Sequence, residues 1–161
     1  MGRVRALGAG RDDVKVVLFV FGILLLDQGT KLYIERTLAI GESVPLIKGV
    51  LYITHIQNPG AAFGLMANQT IFFVITTLLV ITAIIHFYRR LPRRHFFLQL
   101  GLALGLAGAM GNLIDRLRLG YVVDIIDLRI LPTIFNLADT AIVLGVGILL
   151  LVIWRRTEER V

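Results

Sequence analysis

Four long apolar stretches alternate with shorter polar stretches along the 161-residue chain. Each apolar stretch is about 20 residues long, which is enough for an α-helix to cross a bilayer. Basic clusters or turn-forming residues separate them. The pattern therefore predicts four transmembrane helices, over about 14–34, 69–88, 96–114 and 137–154.

The first apolar stretch also has the basic start and apolar core of a secretory signal peptide. However, it ends in DQGTK at 27–31 and offers no small-x-small cleavage site. We therefore interpret it as a retained helix. In the third stretch, the spacing Gly101-x-x-x-Gly105 predicts a close approach to another helix.

The segment between the first two helices has a different pattern. From 50 to 57, β-branched and aromatic residues alternate as in a strand, Gly49 allows a bend, and Asn-Pro-Gly at 58–60 ends the run. We expect a small β-cradle over about 41–58, lying against the membrane surface. Between the third and fourth helices we expect only a short loop segment on the same side.

Composition supports a membrane protein. The chain is 57% hydrophobic and 17% charged, against about 45–50% and about 25% in soluble domains. No linker-like stretch divides it, so we expect residues 1–161 to form a single polytopic domain, all-α apart from the cradle.

The same composition narrows the chemistry. The absence of cysteine excludes disulfide and thiolate chemistry. His55, His86 and His95 lie in separate segments without zinc-site spacing, so we expect no metal and no organic cofactor. Paired aspartates would still be able to hold a hard cation, and that alternative stays open. The formal net charge of +6 comes from clusters that flank apolar runs, which favours membrane topology over nucleic-acid binding.

The basic residues also predict an orientation. Four of the 17 Lys and Arg precede or begin the first helix, four lie in the 89–94 loop and three follow the fourth helix. The positive-inside rule places these regions, and hence both termini, in the cytoplasm. The 35–68 and 115–136 regions then face outward.

With this orientation, every polar cluster in or beside a helix falls at the outer surface. Ionisable residues inside a membrane are costly, at about 2.5–3.5 kcal/mol each, and commonly functional. The polar residues concerned are Asp27, Lys31, Asn58, Gly60, Asn112, Asp115, Arg116, Asn136 and Asp139, with Asp124 in the loop between the last two helices.

Several of these residues also have purely structural interpretations. Asp27 and Lys31 are four residues apart on one helix and fit either an interfacial ion pair or a pair that orients substrate. Asp115 and Arg116 fit a buried ion pair that fixes the end of a helix. Asn136 and Asp139 fit an N-cap and an acidic first turn, which capping alone would explain.

Asp124 has no such explanation, because it lies in VVDIID with no Lys or Arg beside it. Two carboxylates ~4 Å apart repel by about 4 kcal/mol at an effective dielectric near 20. Such repulsion separates their titrations by about three pH units, so the pair shares one proton. Asp124 and Asp139 would then supply the base and the acid of an aspartic protease.

Two other function classes remain open. In a small ion-coupled or proton-coupled transporter, the aspartates would relay ions, although relay residues should be spread through the membrane rather than gathered at one surface. In a structural protein, Asp→Asn changes at 124 or 139 would be harmless.

Five sequence blocks resemble, in order and spacing, the signatures of the lipoprotein signal peptidase (signal peptidase II) family. They are DQGTK (27–31), NPGAAF (58–63), GNLIDR (111–116), VVD (122–124) and FNLAD (135–139). Pro59 departs from the family pattern but fits a turn.

The resemblance implies four transmembrane helices with a β-cradle in the bacterial inner membrane. It implies cleavage of prolipoproteins just before a diacylglyceryl-modified cysteine, with Asp124 and Asp139 as catalytic residues. It also implies membrane lipids and globomycin-type peptide inhibitors as partners. Phe63, Leu65 and Met66 could line an opening for the acyl chains, or simply face lipid. The family's other motif positions fall on Asp27, Lys31, Asn58, Gly60, Asn112, Asp115, Arg116 and Asn136.

Overall fold

The computed structural model describes residues 3–60, 69–91 and 95–158, with the side chains of 3–12 and 156 excepted. The elements are helix α1 (Arg3–Thr37), strands β1 (Ser43–Ile47) and β2 (Leu51–Asn58), helices α2 (Thr70–Arg90) and α3 (Phe96–Leu119), strand β3 (Val122–Leu128) and helix α4 (Leu137–Glu158).

All four helices are long and apolar enough to cross a membrane, over Asp13–Thr37, Thr70–Arg90, Phe96–Leu119 and Leu137–Arg155. The prediction of four such helices is confirmed. Helices α1 and α3 extend beyond the ranges expected from the sequence. The apolar pattern marks only the part of a helix that meets lipid, whereas the backbone hydrogen bonds of a helix continue into the polar residues on either side.

Helix α3 lies at the centre of the bundle and packs against each of the other three helices. Its contact with α4 is the closest, because glycines lie at the crossing. A Cβ atom on Gly108 would overlap the carbonyl oxygen of Ala138, and one on Gly101 would lie 2.9 Å from the carbonyl oxygen of Gly145. Gly105 has more room, since its Cβ would lie 3.7 Å from Ile84.

The three strands form one antiparallel sheet in the order β1-β2-β3. Gly49 lies between β1 and β2 with φ 82°, a left-handed conformation that favours glycine. The small sheet is present as predicted, but the expectation of a loop around Asp124 is wrong. Residues 122–128 form β3, because their alternating backbone groups pair with β2 on one side, while Ile126 bridges to Phe135 on the other.

Two apolar clusters hold these parts together. Val20 packs with Ala103 and Ala107 between α1 and α3. Near the C-terminal end of α1, Ile34 packs against Val123 and Ile125 of β3, along with partly buried neighbours. The second cluster fixes the sheet on the end of the helix bundle and so determines where Asp124 lies.

Candidate active site

Lys31 is the centre of a buried ion cluster between α1 and α3. Its side chain is 0% exposed, and its Nζ lies 2.9 Å from a carboxylate oxygen of Asp27 and 2.9 Å from one of Asp115. It also donates a hydrogen bond to Asn112 Oδ1 at 3.2 Å. One buried cation therefore faces two carboxylates, and its third N–H orients the amide of Asn112.

The two carboxylates of this cluster hold the start of α4 and the start of β3 in place. Asp27 Oδ1 accepts a hydrogen bond at 2.9 Å from the backbone N–H of Ala138, in the first turn of α4. That N–H has no partner within the helix, and the N-terminus of a helix favours negative charge. Asp115 Oδ2 accepts the backbone N–H of Val123, in β3, at 3.2 Å. The cluster thus positions both segments that carry the two candidate catalytic aspartates.

The prediction of an ion pair between Asp115 and Arg116 is wrong. Consecutive residues on a helix point in different directions, so Asp115 faces α1 and pairs with Lys31. Arg116 instead donates hydrogen bonds to two backbone carbonyl oxygens, that of Gly60 at 3.1 Å and that of Asn112 at 3.5 Å.

Asn136 and Asp139 begin α4 with reciprocal hydrogen bonds. Asn136 Oδ1 accepts the backbone N–H of Asp139 at 2.9 Å, and Asp139 Oδ2 accepts the backbone N–H of Asn136 at 3.3 Å. This is the geometry of a capping box. The other oxygen of Asp139 accepts a hydrogen bond from Asn112 Nδ2 at 2.8 Å, so the capping residues also belong to the polar site.

Asp124, on β3, accepts hydrogen bonds from the side-chain amides of two residues outside that strand. Asn136 Nδ2 donates to its Oδ1 at 2.7 Å, and Asn58 Nδ2 donates to its Oδ2 at 2.8 Å. Burial raises the pKa of the Asp124 carboxyl from 3.8 to about 6. The hydrogen bond from Asn58 opposes this rise, whereas the negative charge of Asp139 adds to it.

Asn136 therefore contacts both aspartates, donating to the carboxylate of Asp124 and exchanging hydrogen bonds with Asp139. Asp124 and Asp139 are 15 positions apart in sequence but line the same cavity of about 480 Å³. Its polar end contains Asn58, Gly60, Asn112, Arg116, Asp124 and Asp139.

The remaining wall of this cavity is mostly apolar, with Thr133 and Thr140 as its polar members. Ile134 and Phe135 come from the segment before α4, and Val143 and Leu144 come from α4 itself. The cavity thus presents two carboxylates and three amide or guanidinium groups beside a hydrocarbon-like surface. Phe63, Leu65 and Met66, the residues considered for an apolar opening, lie outside the described residues.

Of the ten candidate site residues, the four that do not line the cavity lie in the network behind it. They are Asp27, Lys31, Asp115 and Asn136. The sequence analysis did not single out Gln28, although it lies in the DQGTK block. Its Nε2 contacts Asp27 Oδ2, the carbonyl oxygen of Gly111 and Asp115 Oδ1 at 2.8–3.2 Å.

Comparisons with known proteins agree on one family. The family model described as signal peptidase (SPase) II matches residues 19–155. Among curated relatives, the lipoprotein signal peptidase of Moorella thermoacetica is 53% identical, over 83% of this chain and 88% of its own length. That of Halothermothrix orenii is 42% identical, over 89% of this chain and 97% of its own length. That of Streptococcus pyogenes serotype M1 is 41% identical, over 90% of this chain and 98% of its own length.

Solved structures give the same result. One, described as a bacterial membrane enzyme, superposes with a TM-score of 0.87 at 34% identity, covering 91% of this chain and 92% of the other. A second with the same description gives a TM-score of 0.80 at 35% identity, covering 86% and 92%. None of these similarities supports a transporter. The chain belongs to the signal peptidase II family and is a multi-pass protease of the bacterial inner membrane that acts on prolipoproteins.

Proposed function

We propose that this protein is an aspartic endopeptidase in which Asp124 and Asp139 activate a water molecule between them. The observation that carries the proposal is the arrangement around Asn136, which contacts both aspartates at the polar end of one cavity. The charge of Asp139 also acts on Asp124, and two carboxylates that interact in this way can share a proton, so that one acts as base while the other acts as acid.

The surroundings of the two residues favour a division of roles. Burial raises the pKa of Asp124 to about 6, so Asp124 is the better carrier of the shared proton. Asp139 accepts two hydrogen bonds at the N-terminus of α4, an environment that favours negative charge. We therefore assign Asp139 as the base and Asp124 as the acid.

The reaction then proceeds in two balanced steps. Asp139 takes a proton from water while the water oxygen bonds to the peptide carbonyl carbon, and Asp124 donates its proton to the carbonyl oxygen. The resulting diol collapses as Asp124 takes a hydroxyl proton back and Asp139 gives its proton to the leaving nitrogen. The C–N bond breaks and both carboxyl groups return to their starting states.

The other site residues have supporting roles in this proposal. Asn58 and Asn136 orient Asp124, whereas Asn112 orients Asp139 and is itself held by Lys31. Asp27 and Asp115 fix the start of α4 and the start of β3, and Arg116 holds Gly60 at the rim of the cavity.

The shape of the cavity favours a lipid-modified substrate. A diacylglyceryl-modified cysteine carries acyl chains that would lie against Ile134, Phe135 and Val143, while the peptide bond before the cysteine would reach the aspartates. Because the acyl chains already lie in an apolar environment in the bilayer, their contact with this wall would position the peptide bond by packing rather than by the hydrophobic effect. Globomycin-type peptide inhibitors would occupy the same cavity and compete with substrate.

The proposal includes the placement of the protein in the membrane. Both termini lie in the cytoplasm, the sheet and the two aspartates lie at the outer face, and residues 1–161 form one membrane-embedded peptidase domain. The distribution of Lys and Arg supports this orientation. Lipids surround the apolar helix surfaces, and the reaction needs neither a metal nor an organic cofactor.

A defined cleavage assay tests the function. The purified protein is incubated with a diacylated prolipoprotein and, in parallel, with the same precursor lacking the lipid, and the products are identified by mass spectrometry. We expect a product that begins at the modified cysteine from the lipidated precursor only. Equal cleavage of the unlipidated precursor, or no shortened product from either, would contradict the proposal.

A further inference from the structure

The guanidinium of Arg116 lies between the cavity and helix α2. On one side, its Nη2 donates a hydrogen bond to the carbonyl oxygen of Gly60 at 3.1 Å. On the other, its central carbon lies 4.9 Å from the centre of the Phe73 ring. Within the described residues, no carboxylate lies within ion-pair distance of this guanidinium, although Asp124 and Asp139 line the same cavity. A cation within about 6 Å of a ring face is attracted to it.

The turn at 58–60 connects this arginine to the proposed acid. The backbone N–H of Gly60 donates to Asn58 Oδ1 at 3.0 Å, which fixes the rotation of the Asn58 amide. The Nδ2 of the same amide then points at Asp124 Oδ2, 2.8 Å away. Gly60 is therefore bonded through its carbonyl to Arg116 and through its N–H to the amide that orients Asp124.

Phe73 does not belong to a buried apolar core. It is half-buried, and within α2, all of whose residues are described, none is buried. A bond between the Thr70 hydroxyl and the carbonyl oxygen of Gly120, 2.7 Å long, holds the start of α2 beside the end of α3. The ring of Phe73 consequently lies at the depth of Arg116, one turn into α2.

We propose that Phe73 is a positioning residue for Asp124, acting through Arg116 and the turn at 58–60. The ring of Phe73 holds the guanidinium against the Gly60 carbonyl. The turn at 58–60 then holds the Asn58 amide on the Asp124 carboxyl. This inference rests on the proposed function of Asp124 and extends it to a helix that contributes no group to the cavity's polar end.

The test compares three single variants. Phe73→Leu removes the ring but keeps an apolar side chain of similar size, Phe73→Tyr keeps the ring, and Phe72→Leu removes a neighbouring ring while leaving the one under Arg116. Phe72 is 46% exposed and meets Phe73 edge-on at 5.5 Å, so it controls for loss of an aromatic at the same depth.

At a pH below about 5, where Asp124 carries its proton in every variant, we expect Phe73→Leu to lower kcat roughly three- to tenfold, with little change in KM, because a cation–π contact of this kind has about that effect on an equilibrium. It should also raise the pKa of Asp124 by about half a unit, since a loosened Asn58 amide stabilises the carboxylate less. Phe73→Tyr should restore both values, and Phe72→Leu should change neither.

The pKa is measured by carbon-13 NMR of labelled aspartate carboxyl groups, with Asp124→Asn used to assign the signal. This measurement needs no substrate, so it tests the role of Phe73 separately from the cleavage chemistry. A double-mutant cycle gives a second criterion, because adding Phe73→Leu to an Arg116→Gln background should cause no further change.

Two results would overturn the inference. One is an Asp124 pKa in Phe73→Leu that equals that of Phe72→Leu. The other is an equal effect of Phe73→Leu in the presence and absence of Arg116. The first result would overturn the inference even if Phe73→Leu lost cleavage.

Discussion

Replacing Lys31 by methionine should strongly destabilise the protein. Lys31 is fully buried, with its Nζ 2.9 Å from both Asp27 and Asp115, and methionine would leave those two carboxylates facing each other without a cation. Both already share the single amide of Gln28, which cannot compensate for the lost charge. Removing one partner of a buried ion pair costs about 3–5 kcal/mol. At about 2–4 °C per kcal/mol for a chain of this size, we expect Tm to fall by roughly 10 °C or more.

The chain offers a matched control in the ion pair between Arg118 and Glu35. This pair also joins α3 to α1, with Nη2 and Oε2 2.6 Å apart, but the arginine side chain is 39% exposed. Exposed pairs contribute about 0–1 kcal/mol. Arg118→Met should therefore lower Tm by no more than about 4 °C.

Thermal unfolding of the detergent-purified variants measures the difference. Asp115→Asn, which leaves Lys31 paired with Asp27, should melt between the parent and Lys31→Met and should also lose activity. If Lys31→Met melts within a few degrees of Arg118→Met, the buried cluster does not stabilise the bundle and the assignment is wrong.

Three further predictions concern packing, pH and metals. Gly108→Ala should lower Tm and expression because its Cβ would overlap the Ala138 carbonyl, whereas Gly105→Ala, with 3.7 Å of clearance, should melt like the parent. The cleavage rate should fall as the pH rises through about 6, because Asp124 loses its proton there. In Asn58→Ala this fall should move about one pH unit higher, since a hydrogen bond that lowers the pKa of Asp124 is gone. If the rate profiles of the parent and of Asn58→Ala coincide, the role of the Asn58 amide is contradicted. EDTA should leave the cleavage rate unchanged, and loss of activity that a divalent ion restores would show that the aspartates bind a metal.

The sequence was sufficient to predict the four membrane helices. A helix in lipid must satisfy its own backbone and present apolar side chains, so its pattern is strong and local. The small sheet around Gly49 was predictable for a similar reason, because strand alternation and turn residues occur together. Strand β3 was missed because its apolar run is typical of a strand only when a neighbouring edge, here that of β2, is available.

The partners of the buried charges could not be predicted from local spacing. Asp115 was expected to pair with the adjacent Arg116, but helix geometry directs consecutive side chains apart, and the partner is Lys31, 84 positions earlier. Likewise, nothing in the sequence around Asp124 indicates that its hydrogen-bond donors are Asn58 and Asn136. Such contacts depend on how α1, the sheet and α4 meet, which is a property of the tertiary fold.

Asn136 and Asp139, at the start of α4, also have contacts that local sequence patterns do not predict. Asn136 and Asp139 form the capping box that local pattern predicts. They also contact Asp124 and Asn112, which only the fold brings near. A structural and a catalytic interpretation of these residues are therefore compatible, and local sequence alone does not separate them.

The most direct test of the proposed mechanism is cleavage of a diacylated prolipoprotein by Asp124→Asn and Asp139→Asn. Asparagine keeps the size of each side chain but can neither accept nor carry the shared proton, and positioned acid–base groups contribute about 10²–10⁴-fold to a rate. We expect each variant to be folded and membrane-inserted, with turnover reduced at least about 100-fold. Turnover close to that of the parent in either variant would contradict the account.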